Sequence, residues 1–109
     1  MPRRVVWRFL ESPPLGGYLN MAVDEAIQAA CAHGNAQATV RFYRWLSPTL
    51  SIGYAQPLLR SVDVKRCAEK GIAIVRRPTG GRAILHNNEL AYSVVSVSYT
   101  HLRAHETVL

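Results

Sequence analysis

Apolar residues recur at helical spacing in one stretch of the chain and at strand spacing in most of the rest. Between residues 19 and 31 they fall three, four and seven positions apart, which lays one apolar stripe along the face of a helix. Asn20 is expected to cap its first turn, with Asp24 near the positive end, and Gly34 is expected to end it. The stripe consists of Leu19, Ala22, Val23, Ala26, Ile27, Ala30 and Cys31.

Shorter segments rich in β-branched and aromatic residues predict strands. They span residues 5–9, 39–45, 49–54, 72–75, 83–85 and 90–97. Leu46-Ser47-Pro48 is short enough to join antiparallel neighbours, and Asn87-Asn88 marks a turn between the last two strands. Residues 62–70 predict a brief second helix, with Asp63 near its start.

The order of these elements predicts an α+β fold, a mixed or antiparallel sheet with helices packed on one face. At 109 residues, the chain has room for one small domain with a single hydrophobic core. No apolar run approaches the ~20 residues that cross a bilayer, so no membrane contact is expected. The short apolar stretch after the basic start is broken by Arg8 and Glu11, which argues against a signal peptide and for a cytoplasmic location.

The end of the chain departs from this pattern. From about Ser96 onward the strand pattern does not continue, and the sequence resembles the translated adapter read-through found at the ends of metagenomic gene predictions. We therefore expect residues 1–95 to be the native part and residues 96–109 to be a non-native tail. His101 and His105 have the spacing of a metal pair on a helix, but here neither is expected to carry chemistry, and no metal site is predicted.

The charge of the chain bears on its partners. Its formal net charge is +6, carried by eleven arginines and two lysines against seven acidic residues. Arginine suits flat, bidentate recognition of carboxylate or phosphate. Because the charges are dispersed and no nucleic-acid-reading motif is present, an anionic small molecule or an acidic protein is favoured over nucleic acid.

The cysteines and several basic residues have plain structural interpretations. Two cysteines are too few for a disulfide framework and lack metal-ligand spacing. Both are expected to be buried and inert on the apolar sides of the helices. The lysines of the second helix are expected to be solvated, and the arginines of the second strand to be stacked surface residues. These residues are Cys31 and Cys67, Lys65 and Lys70, and Arg41 and Arg44.

The segment from Arg76 to His86 carries the candidate chemistry. Gly80 and Gly81 follow a strand directly, where glycine allows positive φ and close approach to a ligand, and successive N–H groups form an anion-binding nest. Arg76 and Arg77 must point to opposite faces, so only one is expected to reach the site. His86 is placed to donate to a carbonyl or phosphate oxygen. Spacing alone leaves a plain Gly-Gly hairpin as an alternative.

Four blocks of sequence resemble, in order, the lipoate-protein ligase and octanoyltransferase family, which shares its catalytic fold with biotin-protein ligases. The resemblance is closest to the octanoyltransferases that use a cysteine thioester, because ATP-dependent ligases typically have glycine in place of Arg82. It implies the N-terminal part of that catalytic fold. The blocks are Asn20–Ala26, Arg41–Trp45 with Pro48–Gln56, Arg76–His86 and Glu89–Val94.

The resemblance implies a function with two alternatives. In the transferase branch, a cysteine takes octanoyl from acyl carrier protein and passes the octanoyl or lipoyl group to a lysine of a lipoyl domain or glycine-cleavage H protein, without a cofactor. The first alternative is an ATP-dependent lipoate-protein ligase, which uses ATP and Mg to form an acyl-adenylate. The second is a non-catalytic module that binds an acyl group or a lipoyl domain.

The resemblance also implies the acyl- or substrate-binding residues, whose backbone N–H groups would polarise the acyl oxygen. They are Arg77, Gly80, Gly81, Arg82, Ala83, Ile84, Leu85 and His86. Ile52, Ile74 and Ile84 are expected either to hold the acyl chain or to be ordinary core. The family's nucleophilic cysteine lies beyond the matching segment, so no catalytic residue is assigned, and the fragment alone is expected to be inactive.

Overall fold

The computed structural model describes residues 6–97 and 105–108, with side chains described for residues 6–96. Helices and short strands are interleaved along the chain, which confirms the predicted α+β class. In chain order the elements are β1 (Trp7–Glu11), α1 (Gly17–Ala32), β2 (Ala38–Arg44), β3 (Thr49–Ile52), α2 (Leu58–Ser61), α3 (Val64–Glu69), β4 (Ala73–Arg76), β5 (Ile84–His86), β6 (Leu90–Val97) and β7 (His105–Val108).

The strands form two mixed sheets rather than one. The first sheet has the order β1-β2-β6-β7, with β1 and β2 parallel and the other pairs antiparallel. The second has the order β4-β3-β5, in which β3 is parallel to β4 and antiparallel to β5. The predicted pairing of β2 with β3 is therefore wrong. The strands β5 and β6 flank the Asn87-Asn88 turn as predicted, but they too lie in different sheets.

The chain changes sheets after β2 because another segment continues the ladder there. Leu15 forms a parallel bridge to Trp45 just beyond the β1–β2 pairing. The N–H of Leu46 then donates to the Leu15 carbonyl at 2.8 Å. Trp45 and Leu46, which begin the connection to β3, are therefore already paired with Leu15. The following strand, β3, lies in the second sheet.

Helix α1 begins earlier than predicted, at Gly17. A Cβ at Gly17 would lie 2.5 Å from Cγ2 of Thr49, so this close approach of helix and strand requires glycine. Asn20 is not the cap. It is fully buried, and its side-chain amide donates to the carbonyls of Leu15 and Arg44 at 3.1 Å each.

The core joins α1 to both sheets. Cys31 is 1% exposed, which confirms its predicted burial. Cys67 is partly exposed, so its predicted burial is wrong: α3 is only six residues long and buries no residue completely. Burying an aliphatic or aromatic side chain contributes ~1.5–3 kcal/mol. The two clusters are Met21, Tyr43, Trp45 and Val75, which touch both sheets, and Ile27, Cys31 and Val95.

Arg41, predicted to be a stacked surface residue, is stacked but only 1% exposed. Its guanidinium forms an ion pair with Asp24 at 2.9 Å and donates to the side-chain oxygens of Asn20 at 2.6 Å and Ser12 at 2.8 Å. It also lies 4.1 Å from the centre of the Tyr43 ring. Burial is tolerated because a carboxylate and further acceptors meet the charge. Asp24, which the sequence placed near the positive end of the helix, is therefore a buried ion-pair partner.

Strand β7 pairs with residues 94–97 of β6. The sequence pattern predicts no further strand after residues 90–97, so the pairing of β6 with β7 is a difference from the prediction. Residues 1–5, 98–104 and 109 lie outside the described part of the chain. His101 is among them, so the prediction that it carries no chemistry falls on a residue that the structure does not describe. The boundary between a native part and a tail at residue 95 remains a prediction.

The free energy of unfolding should fall at alkaline pH. Burial raises the pKa of the Cys31 thiol from its ordinary 9.0. It also raises that of the Tyr43 phenol from 10.0, with the negative charge of Asp24 adding to the shift. A group whose pKa is raised by folding contributes stability while it is protonated, and that contribution is lost as the pH rises past its unfolded pKa. The titration of these two groups should therefore lower stability above about pH 9.

Urea unfolding measured across that range checks this prediction. Tyr43→Phe should flatten the upper part of the decline, whereas Tyr54→Phe should not, because Tyr54 is exposed. An alkaline decline that is the same with and without the Tyr43 hydroxyl would contradict the assignment.

Candidate functional site

The Gly80–Gly81 bend follows β4 and is held by Arg77. Arg77 is 8% exposed, and its guanidinium donates to the carbonyls of Gly80 at 3.0 Å and Arg82 at 2.9 Å. It also donates to the carbonyl and hydroxyl of Ser51 on β3, at 3.0 and 2.7 Å. Burial lowers the pKa of Arg77. Arg77 therefore holds the backbone of the bend in place through hydrogen bonds and does not present a free cation to a ligand.

Arg76 points the other way, as the strand alternation predicted. Its guanidinium donates to the carbonyls of Gly53, Tyr54 and Gln56 at 2.9, 3.0 and 2.8 Å. Arg76 thus holds the loop of residues 53–56, and Arg77 holds the Gly80–Gly81 bend.

Gly53 is a site residue that the sequence reasoning missed. A Cβ at this position would overlap the carbonyl oxygen of Gly81 and lie 2.9 Å from its carbonyl carbon. The N–H of Tyr54 donates to the Thr79 carbonyl at 2.8 Å and ties the same two loops together. Gly81 itself has φ 104°, which L side chains rarely adopt. The available signal was a glycine just after a strand, the same signal that singled out Gly80.

The bend exposes unpaired hydrogen-bond donors. Within the described residues, the backbone N–H groups of Gly80, Gly81 and Arg82 donate no hydrogen bond, and the Arg82 guanidinium has no hydrogen-bond or ion-pair partner. All three residues are exposed. Adjacent free N–H groups and a guanidinium provide a place for an oxyanion or a polarised carbonyl oxygen.

His86 is buried, and three neighbouring side chains contact its ring. Its ring stacks on Trp45, with ring centroids 4.3 Å apart. Its Nε2 lies 2.7 Å from the Ser51 hydroxyl. That hydroxyl also accepts from Arg77, and whether Ser51 or Nε2 donates in their contact depends on the tautomer of the imidazole. Nδ1 lies 3.2 Å from a carboxylate oxygen of Glu89, close enough for an ion pair but without hydrogen-bond geometry. Nε2 is engaged with Ser51 and Nδ1 is buried, so neither ring nitrogen is an exposed donor, in contrast to the donation predicted from the sequence.

A continuous series of contacts connects helix α1 to the bend. It starts at the buried Asp24–Arg41 ion pair and passes through Tyr43, whose ring meets Trp45 edge to face at 5.5 Å. From Trp45 it continues through His86 to the residues that hold the bend. The position of the bend therefore depends on residues from both sheets.

A pocket of about 460 Å³ lies beside the bend. Six of the eight predicted acyl-binding residues line it, and residues of the first sheet form most of the remaining wall. The six are Arg77, Gly80, Gly81, Arg82, Ile84 and His86, and the facing residues include Tyr43, Leu90, Ala91 and Tyr92. The structure therefore brings the largest part of the predicted set together at one cavity.

Ala83 and Leu85 do not line this pocket. They line a smaller one of about 320 Å³ on the opposite face of the second sheet. The reason is the alternation of side chains along a strand, which sends residues 84 and 86 to one face and residue 85 to the other.

The three isoleucines expected to hold an acyl chain are also divided. Ile84 is half exposed and lines the larger pocket. Ile52 and Ile74 lie on the other face of the sheet, because Ile74 pairs with Leu50 while Ile84 pairs with Ser51. Ile52 is buried, as the core alternative predicted.

The described residues contain no group of three or more His, Cys, Asp or Glu side chains arranged to hold a metal ion. Among the described helices, none is both long and apolar enough to span a membrane. Cys31 is buried in the core, and Cys67 lines the smaller pocket, so neither cysteine lines the pocket at the bend.

Comparison with known proteins places this geometry in a family. Residues 17–108 match the family model described as the lipoyl protein ligase A/B catalytic domain. The chain belongs to the lipoyl protein ligase A/B family. The resemblance recognised from the four sequence blocks is thereby confirmed.

Relatives within the lipoyl protein ligase A/B family are longer than this chain. Octanoyltransferase LipM of Carboxydothermus hydrogenoformans is 45% identical over 103 residues, which cover 94% of this chain and 38% of the relative. Octanoyltransferase LipM of Moorella thermoacetica is 47% identical over 90 residues, covering 83% and 33%. The chain thus spans between 33% and 38% of the length of these two relatives.

Solved structures of the family share the fold. The bipartite lipoate protein ligase of Thermoplasma acidophilum aligns with a TM-score of 0.75 and 34% identity, covering 87% of this chain and 37% of that one. Lipoate-protein ligase A bound with ATP aligns with a TM-score of 0.69 and 31% identity, covering 92% and 41%. The lipoate ligase fold expected from the sequence is therefore confirmed.

Proposed function

We propose that this chain is the acyl-binding part of an enzyme that transfers octanoyl groups to proteins. The observation that carries the proposal is the convergence of six predicted residues, with their unpaired N–H groups, on the pocket at the bend. The relatives named octanoyltransferase, at 45% and 47% identity, support the same activity.

The geometry suits binding of a thioester or acyl-adenylate carbonyl. The oxygen of the acyl group would accept from the free N–H groups of Gly80, Gly81 and Arg82, which polarises the carbon for attack. The aliphatic chain would lie along Ile84 and the first-sheet side of the pocket. His86 and Arg77 are engaged with Ser51, so they position the bend rather than react.

The proposed reaction has two steps. A thiolate from the longer protein attacks the carbonyl of octanoyl-acyl carrier protein, and the carrier thiolate leaves. The amine of a lysine on a lipoyl domain or glycine-cleavage H protein then attacks the new thioester. An amide forms, the enzyme thiolate leaves, and the amine loses a proton. No cofactor is needed in this scheme, and the location we propose is the cytoplasm.

An ATP-dependent lipoate-protein ligase is the second candidate. The structural likeness to a ligase bound with ATP favours it. In that scheme ATP and Mg would activate a free acid before transfer. Arg82 argues for the transferase, since it places a cation where the ligases of the family typically have glycine.

A chimera tests the proposed function. Residues 17–97 of this chain would replace the matching segment of the Carboxydothermus octanoyltransferase. We expect the chimera to transfer octanoyl from acyl carrier protein to H protein without nucleotide, whereas the 109-residue chain alone should transfer none. A chimera that is folded but works only with free acid and ATP would indicate the ligase, and one that is folded and inert in both assays would contradict both enzyme proposals.

In this chimera, Gly81→Val should reduce acyl loading by about 100-fold or more, the loss expected when oxyanion donors are misplaced. Valine is strained at a φ of 104°, and its Cβ would lie 3.0 Å from the Arg77 guanidinium that holds the bend. The matched control is Gly34→Val, which is also strained, at a φ of 74°, but does not line the pocket. Single-turnover loading measured by mass spectrometry distinguishes them, and equal loading by both variants would mean that the bend does not contact the acyl group.

A further inference from the structure

We propose that the smaller pocket, on the far face of the second sheet, is a second binding site whose ligand is a medium-chain aliphatic carboxylate. It is a cleft of about 320 Å³, at the lower end of the ~300–1,000 Å³ typical of small-molecule sites. The sheet separates it from the pocket at the bend, so this site is additional to the proposed function and does not rest on it.

The cleft is an unfilled apolar space between helix and sheet. Its walls include Leu50 of β3, Ile72 before β4, and Leu85 of β5. Helix α3 lies over this face but buries no residue completely, and Leu85 remains more than half exposed. The cleft is open to solvent and its lining is mostly apolar, which is surface that an aliphatic chain would cover.

Two cations at the rim select an anionic head group. Arg66 and Lys70 both line the cleft and are four residues apart, so they face the same side. Neither side chain forms a hydrogen bond or ion pair within the described residues. Asp63, which also lines the cleft, caps α3 by accepting from the Arg66 N–H at 3.0 Å, so the charged side chains of the lining sum to +1. A free guanidinium beside a free ammonium, at an apolar mouth, matches a carboxylate with a short aliphatic chain.

Cys67 provides a local reporter for occupancy. It lines the cleft and is partly exposed, whereas Cys31 is buried in the core. Alkylation of the purified chain with iodoacetamide, followed by peptide mass spectrometry, therefore reports on the cleft through Cys67. The slow reaction of Cys31 in the same sample reports that the protein is folded.

Octanoate is the probe, and octylamine is its control of equal length and opposite charge. At about ten times its Kd, octanoate should slow Cys67 alkylation about tenfold by mass action. Octylamine should have little effect. No protection up to the solubility limit of octanoate, or equal protection by octylamine, would overturn the proposal.

Charge variants complete the test. Arg66→Gln combined with Lys70→Gln should abolish protection by octanoate, whereas Lys65→Gln, an exposed lysine of the same helix that does not line the cleft, should retain it. Arg82→Gln, at the larger pocket, should also retain it, which separates this site from the one at the bend. Protection that survives the double variant, or that is lost in Arg82→Gln, would contradict a carboxylate site at the cleft.

Discussion

Gly53→Ala should be among the most disruptive small substitutions in this chain. The added methyl would overlap the carbonyl oxygen of Gly81, and the backbone of the bend has to move to make room. Overpacking of this kind costs about 1–3 kcal/mol. We expect a loss of unfolding free energy in the upper part of that range in urea titrations. We also expect faster amide exchange at Tyr54, whose N–H bonds the Thr79 carbonyl.

The matched control is Gly80→Ala, on the bend itself. A Cβ at Gly80 meets nothing within 4 Å, and its φ is not in the left-handed region. Because alanine restricts the unfolded chain more than glycine does, this variant should be neutral or stabilising by up to about 1 kcal/mol. If Gly53→Ala and Gly80→Ala had the same stability, the close packing of the two loops would be disproved.

Asp24→Asn should cost about 3–5 kcal/mol, the range for breaking a buried ion pair from one side. The guanidinium of Arg41 would remain buried without its carboxylate. The hydroxyl of Ser93 also donates to Asp24 at 2.8 Å, so the change disturbs a contact between α1 and β6 as well. Chemical denaturation monitored by circular dichroism measures the loss.

Two further variants show whether the charge pair itself is responsible. Glu25→Gln, at the exposed neighbouring position, should change stability by less than about 0.5 kcal/mol. Asp24→Leu combined with Arg41→Leu should cost less than Asp24→Asn alone, because no charge is left unpaired. A double variant that is less stable than the single one would show that hydrogen bonding and shape outweigh charge at this position.

Elements with a long, regular pattern could be predicted from the sequence. The apolar stripe located α1, and the run of β-branched and aromatic residues after the Asn87-Asn88 turn located β6 with the same bounds as in the structure. Strand pairing could not be predicted, because a three-residue connection fits both a hairpin and a change of sheet. The pairing of Trp45 with Leu15, 30 positions earlier in the sequence, favours the change of sheet over the hairpin.

The candidate site was predictable in its position but not in its contacts. Two glycines after a strand pointed to the bend, and the arginines beside it were correctly assigned to opposite faces. The burial of Arg77 was not visible, since it depends on the hydroxyl and carbonyl of Ser51, a residue of another strand. The role of Gly53 was missed for the same reason, because its partner is a backbone atom 28 positions along the chain.

Strand β5 serves as a partition between two cavities, with residues 84 and 86 on one side and residue 85 on the other. Substitutions at alternate positions of this three-residue segment should therefore change the shape of one pocket at a time. A change at Leu85 would reshape the smaller pocket and leave the pocket at the bend intact, and a change at Ile84 would do the reverse.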